Sequence, residues 1–422
     1  MTALRTPRPE KRAAIDVIAW PVGALAASFY GVAHASFVED GRRQQGLLLT
    51  AGALCVLAVL TLPLKNRVPI VGRAIAWTAL TCTVVLLNHL FLPAQFGYGQ
   101  TKYQYLILVL ALALFAVPIL TFRSELATTR FVQSMAVVSG FYCLVNLVTS
   151  TDTANIRKSS IELNPAVMSK ICLLLALYAV AHMLVRRRPS VLHVALLLLS
   201  VAAAIKTGSR GPILAVLVSA AVVMVAMYGA SQLHRIVPAM VGLVVAVGVF
   251  LRFAPAAISS RFTLAAVSVQ ENSGEGDRID LWRTALRVVD DNVNGIGMGN
   301  FLSYQRFVSV PHNIFLELAV EFGVVIAVAF LAACVVASRR AVLALRSPTV
   351  TIPVVWMALL LLNQIANSLL GGELTLQSYL LYLPMAYFLY GVVGPGRTRP
   401  PRPVATRRRA RPALSGAGRQ LQ

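Results

Sequence analysis

Long apolar runs separated by short polar breaks repeat along most of the chain. Runs of about 18 or more apolar residues mark membrane-crossing helices, each needing about 20 residues to cover about 30 Å of hydrocarbon. The pattern predicts about twelve spans, roughly 13–36, 46–64, 70–92, 103–121, 131–150, 166–185, 190–206, 212–229, 236–254, 312–337, 350–370 and 374–393. The strand-like alternation of an outer-membrane barrel is absent. The expected fold class is an all-α polytopic membrane protein. Its membrane domain covers 1–393, and residues 394–422 form a Pro- and Arg-rich basic tail expected to be disordered.

One long polar interruption, 255–311, stands between spans nine and ten. Only 13% of residues are charged and 57% are hydrophobic, against about a quarter charged in soluble proteins. The net charge of +22 needs no nucleic acid to explain it: with the N-terminus inside, 24 of the 38 Lys and Arg fall on segments facing the cytoplasm. That bias places both termini in the cytoplasm and the 255–311 loop outside. The basic tail then attracts anionic lipid heads. RTPRPEKR before the first run reads as an anchor, not a cleaved signal. The five cysteines (Cys55, Cys82, Cys143, Cys172, Cys334) lie in or beside apolar runs, which suggests neither a disulfide framework nor a zinc site.

Two outward helix starts carry cations where helix stability gains nothing from them. Span eight opens TGSRGP, with Gly211 as the expected cap and Pro212 in the first turn. Arg210 sits at that start and Lys206 one turn before it, a pattern suited to phosphate or to lipid headgroups. In the loop, Asp277 can cap a helix that begins at Arg278, with Asp280 three residues on. Ile279, Trp282, Leu286 and Val289 make its expected apolar stripe. Asp290–Asp291 is expected to end it, and the following GIGMGNF reads as a flexible turn. His312 then follows Pro311 at the start of span ten, where a helix N-terminus and nearby arginines favour the neutral, proton-accepting imidazole. Glu317 and Glu321 share a helical face below it, and either orient His312 or pair with an interior cation. Asn363, Gln364 and Asn367 form a polar stripe in span eleven, expected to bond between helices.

SRG at Ser209–Gly211, DRIDLW…GIGMGNF at Asp277–Phe301 and HN…E.G at His312, Asn313, Glu321 and Gly323 together resemble the O-antigen ligase and polymerase superfamily of bacterial membrane glycosyltransferases. The sequence departs from it at Asn292, where members often have Pro, and this is expected to loosen the turn. The resemblance implies a GT-C-like enzyme at the periplasmic face of the inner membrane. Its donor is a glycan on a polyprenyl (undecaprenyl) diphosphate, and the ligase's acceptor is lipid A–core oligosaccharide. Carried onto this chain, Arg210 and Arg278 bind the diphosphate and His312 serves the acceptor as base. Arg157, Lys206 and Asn313 are further substrate-binding candidates, with Lys158 adding charge, and Glu317 and Glu321 support the site. Displacement with inversion needs charge on the leaving group and a base at the incoming hydroxyl, so no cofactor and no metal are expected. The rival metal-dependent reading rests on Glu39–Asp40. The runner-up activity is the polymerase that joins repeat units on the same donor. A lipid-linked glycan transporter fits less well, because the acids and unusual arginines lie toward the outer face rather than the midplane.

Overall fold

The structure is a computed structural model that describes residues 17–35, 41–62, 69–149, 165–188, 190–229, 248, 278–305, 310–371, 374 and 379–391. Among the described residues all regular structure is helical. In chain order the helices are α1 (Ala19–Ala35), α2 (Gly41–Leu60), α3 (Pro69–Phe91), α4 (Gly97–Thr121), α5 (Glu125–Val148), α6 (Pro165–Arg186) and α7 (Val191–Lys206). They continue with α8 (Arg210–Tyr228), α9 (Arg278–Asp291), α10 (Ile314–Phe322), α11 (Val324–Leu345), α12 (Ile352–Gly371) and α13 (Tyr379–Leu389). Seven of them, α3, α4, α5, α6, α8, α11 and α12, are long and apolar enough to cross a membrane, so the protein is polytopic. Shorter apolar helices in α2, α7 and α13 fall on three more expected spans. All but one residue of the span expected at 236–254 lies outside the described residues. So do residues 255–277 of the loop, the tail, Glu39, Asp40, Arg157, Lys158 and Asp277.

The bundle is built around α4, α6 and α12, whose apolar windows are mostly buried, while α3 and α11 line its periphery. Val325 and Val335 on α11 point outward, as a bilayer-facing surface allows. Trp356 of α12 is wholly buried, and its indole donates to the Leu174 carbonyl of α6 at 3.4 Å. Small polar side chains close the seams between α5, α6 and α7: Ser139 donates to the Ile171 carbonyl at 2.7 Å, Ser200 to the Cys172 carbonyl at 2.6 Å, and Asn146 to the Ala203 carbonyl at 2.8 Å. In hydrocarbon such bonds serve where apolar contact alone gives little specificity.

A π-helical stretch, Ala111–Ala116, interrupts α4. Its cause is local. Pro118 has no N–H, so the carbonyl four residues back, Leu114, loses its helical partner. The Tyr390 hydroxyl donates to that carbonyl from beyond α13, which removes an orphaned acceptor from an apolar setting. The last carbonyls of α13 are answered in turn by arginines: Arg340 donates to Leu389 at 2.7 Å, and Arg73 donates to Tyr390. Two of the cations expected on the cytoplasmic side thus also complete a helix C-terminus.

Three sequence expectations are corrected. Span ten is not one helix: it breaks at Gly323 (φ 89°) into the short α10 and the crossing helix α11. α4 begins at Gly97, six residues before the expected edge of span four, which brings Lys102 inside a helix. Asn363, Gln364 and Asn367 are buried, but among the described residues Asn363 Oδ1 accepts from Gln364 at 3.1 Å and from Asn367 at 3.0 Å, bonds that run within α12 rather than between helices.

Candidate functional site

Chain crossing sets which helix ends meet. α4 and α5 are joined by a tight turn at Phe122–Ser124, so the N-terminus of α4 and the C-terminus of α5 share the opposite end of the bundle. Lys206, the last residue of α7, donates to the α5 carbonyls there, and Arg210 starts α8 four residues later. Lys102 in the second turn of α4 pairs with α10, whose N-terminus follows His312. Lys102, Lys206, Arg210, His312, Glu317 and Glu321 therefore lie at one end of the bundle. A hydrogen bond from Trp282 to the Pro311 carbonyl brings α9, with Arg278 as its first residue, to the same end.

The His312 segment is held on several sides. His312 is half-buried, with φ at 52°, a left-handed backbone rare for a residue bearing a Cβ. Asn313 caps α10, its side-chain oxygen accepting from Phe315 N at 3.0 Å and Leu316 N at 3.3 Å, while its amide donates to the Leu369 carbonyl of α12 at 3.3 Å. That gives Asn313 a structural task beside the substrate contact expected of it. α9 packs through Leu281, Ala285 and Val288 against Phe301 and Val320. The expected stripe is thus rotated: Trp282 and Val289 flank the packed face, but Ile279 (51% exposed) and Leu286 (56% exposed) point away from it. The face is set by where α10 sits, which periodicity alone does not reveal.

GIGMG is a buried cradle, not a flexible turn. Gly295, Gly297 and Gly299 all have positive φ and are buried. Ile296 N donates to the Val320 carbonyl at 2.8 Å, and Val324 N to the Val293 carbonyl at 2.9 Å, so the segment stitches itself across the α10–α11 break. A Cβ on Gly299 would stand 2.5 Å from Gly99 Cα, and one on Gly295 would stand 2.7 Å from Gly323 N. Backbone lies against backbone at both places. Asn292, expected to loosen this region, instead anchors it, with its backbone N–H donating to the Val288 carbonyl at 2.9 Å and its own carbonyl accepting from Gly295 N at 2.8 Å.

Beneath this cradle lies an ion triad. The Lys102 ammonium donates to Glu317 and to Glu321, the latter at 2.5 Å, and all three side chains are at most 1% exposed. Glu317 also accepts from Leu374 N at 2.9 Å, and Glu321 from Gly299 N at 2.9 Å. The backbone carbonyl of Glu321 accepts from the Asn88 amide of α3 at 2.9 Å. Of the two roles open to the glutamates, pairing with an interior cation is the one the geometry displays. Lys102 was the residue missed. A lone lysine at an apolar helix end, set beside two intramembrane carboxylates lacking a cation, is the signal that points to it.

At α8 the expected cap is displaced. Ser209 is the cap residue, its side chain makes no capping hydrogen bond, and Gly211 lies inside the helix. Arg210 is thus the first helical residue, at a positive helix end suited to an anion. Lys206 is engaged elsewhere: its ammonium donates to the carbonyls of Asn146 (2.7 Å), Leu147 (3.0 Å) and Thr149 (2.7 Å). An ammonium has three donors, so these acceptors occupy them all. Arg157 lies outside the described residues.

The fold and this end define a multi-pass membrane protein that carries a charged, backbone-stitched site where an amphipathic helix meets the bundle. Residues 194–331 match the family described as O-antigen ligase, which supports membership of the O-antigen ligase/polymerase family. The matched stretch contains Arg210, Arg278, His312, Glu317 and Glu321, and it leaves out Lys102. No curated protein matches the chain.

Proposed function

We propose that the protein is a glycosyltransferase that moves O-antigen glycan from undecaprenyl diphosphate to lipid A–core oligosaccharide at the periplasmic face of the inner membrane. The observation that carries this reading is that one family match, 194–331, contains Arg210, Arg278 and His312, which stand on three separate segments of the chain. Arg210 and Arg278 hold the diphosphate, whose charge grows as the sugar–phosphate bond breaks. His312 accepts the proton of the attacking hydroxyl. Attack opposite the leaving diphosphate inverts the anomeric centre and calls for no metal. Arg157 and Asn313 contribute to substrate binding. Glu317 and Glu321 support the loop that carries His312.

The test is purified protein in detergent, incubated with a diphosphate-linked glycan and lipid A–core. Glycan on lipid A–core is the expected product, and Ala at Arg210, Arg278 or His312 is expected to abolish it while membrane insertion stays normal. Near-parental transfer by all three variants would falsify the mechanism. Elongated glycan on the carrier, with lipid A–core untouched, would assign the polymerase activity instead. Transfer lost in EDTA and restored by a divalent ion would overturn the metal-free route.

A further inference from the structure

We infer that Lys102 is a positioning residue for the transfer reaction, fixing α10 so that His312, at its N-terminus, meets the acceptor hydroxyl. The inference rests on the proposed role of His312. Its own support is the way the triad is wired. Lys102 is wholly buried and comes from α4, far from α10 in sequence, yet it joins both carboxylates on α10. Glu317 continues the tie to Leu374, just beyond α12. Glu321 continues it to Gly299 in the glycine cradle. One ammonium thereby sets the height and rotation of a nine-residue helix against three parts of the bundle. His312 precedes this helix by two residues, and it holds a left-handed backbone that the surroundings must enforce. A helix this short has little stability of its own, so its position comes from these ties.

The structure suggests a cost as well. Two carboxylates face one ammonium, and Glu321 Oε2 has no hydrogen-bond partner among the described residues. A triad kept only for stability is replaceable by neutral side chains of similar size, often without loss. A triad kept for position is not, because a shift of about 1 Å at a reacting group costs up to about a hundredfold in rate.

The experiment compares Lys102→Arg, Lys102→Met and the neutral triple variant Lys102→Met, Glu317→Gln, Glu321→Gln in the full-length protein. Thermal midpoint in detergent, kcat and donor KM are measured for each. Lys102→Met strands two buried charges and is expected to fold poorly. The triple variant strands no charge and is expected to hold its midpoint closer to the parent than Lys102→Met does, with kcat down at least about tenfold and donor KM within about threefold. Lys102→Arg keeps the charge on a longer, planar head and is expected to show the same split more weakly. Parental kcat in every variant that folds would overturn the inference, and so would failure of all three to fold, since Lys102 would then be a folding residue. His312→Ala separates the two levels. If His312→Ala transfers normally, the proposed mechanism fails; if it is inactive while the folded triple variant is fully active, only the role of Lys102 fails.

Discussion

The indole Nε1 of Trp282 donates to the Pro311 carbonyl at 3.0 Å, tying the helix that starts with Arg278 to the residue before His312. The two residues assigned to opposite ends of the reaction, leaving group and incoming hydroxyl, are thus linked through one hydrogen bond. Trp282→Phe keeps an aromatic ring, though a smaller one, against the packed face of α9 and deletes the donor. A neutral hydrogen bond contributes about 1 kcal/mol, so the thermal midpoint is expected to fall only slightly. Transfer is expected to fall further, by about tenfold, because the loss lands on the spacing of two reacting centres. Equal, slight losses in both measurements would mean that the bond only holds α9 in place.

The two carboxylates of the triad are not equivalent, and their amides separate them. Both oxygens of Glu317 meet donors, Lys102 on one side and Leu374 N on the other. A Gln at that position must turn its own N–H₂ toward one of them. Glu321 meets donors through Oε1 alone, and Oε2 is without one among the described residues. Gln at 321 can keep the accepting oxygen and place its amide where no donor stands. Glu317→Gln is therefore expected to destabilise by about 2–3 kcal/mol and Glu321→Gln by less than about 1 kcal/mol, read as thermal midpoints in detergent. The reverse order would show that the hydrogen bonds seen here do not set the energetics.

The helices were largely legible because a bilayer demands apolar runs of a fixed length, and eleven of the expected spans fall on described helices. The edges were less so. Placing the start of span four at residue 103 left Lys102 outside it, and with it the partner of Glu317 and Glu321. Residue-by-residue hydropathy cannot show a charge that is buried only because two opposite charges wait on a helix more than two hundred positions later. The same limit hid the glycine cradle. Alternating glycines read as slack, and what fixes them is backbone from Leu92, Gly99 and Gly323, which only the fold supplies. Arg210, Arg278 and His312 could be singled out because each stands where local helix chemistry has no use for it. The carbonyls that engage Lys206 come from another helix and left no trace in its own neighbourhood.

The glycine cradle carries its own test. Gly295 and Gly299 combine positive φ with backbone atoms within 3 Å of any added Cβ, so Ala there meets both strain and collision. Gly211, in the SRG motif, has nothing within 4 Å of such a Cβ and sits inside α8. Gly299→Ala is expected to lower stability by about 2 kcal/mol or more, since a strained backbone costs about 1–3 kcal/mol before any clash. Gly211→Ala is expected to be neutral or to stabilise α8 by up to about 1 kcal/mol. The yield of folded protein after detergent extraction, with the thermal midpoint, ranks the two. A destabilised Gly211→Ala beside a tolerated Gly299→Ala would contradict the packing described.

Lys206 separates two ways a cation can serve this end of the bundle. As a donor-binding residue it would hold phosphate, and its loss would raise the donor KM. As found, it closes the C-terminus of α5 by donating to Asn146, Leu147 and Thr149. Those carbonyls belong to the last turn of a helix, where the macrodipole is negative and the acceptors lack helical partners. Lys206→Met keeps most of the length of the side chain and removes the charge and all three donors. The expected outcome is a thermal midpoint lowered by about 1–2 kcal/mol in stability, with donor KM unchanged within about twofold. Arg210→Ala is expected to do the opposite: its midpoint holds while transfer is lost. A raised donor KM in Lys206→Met at parental stability would return Lys206 to the diphosphate and show that its contacts with α5 are exchanged when the donor binds.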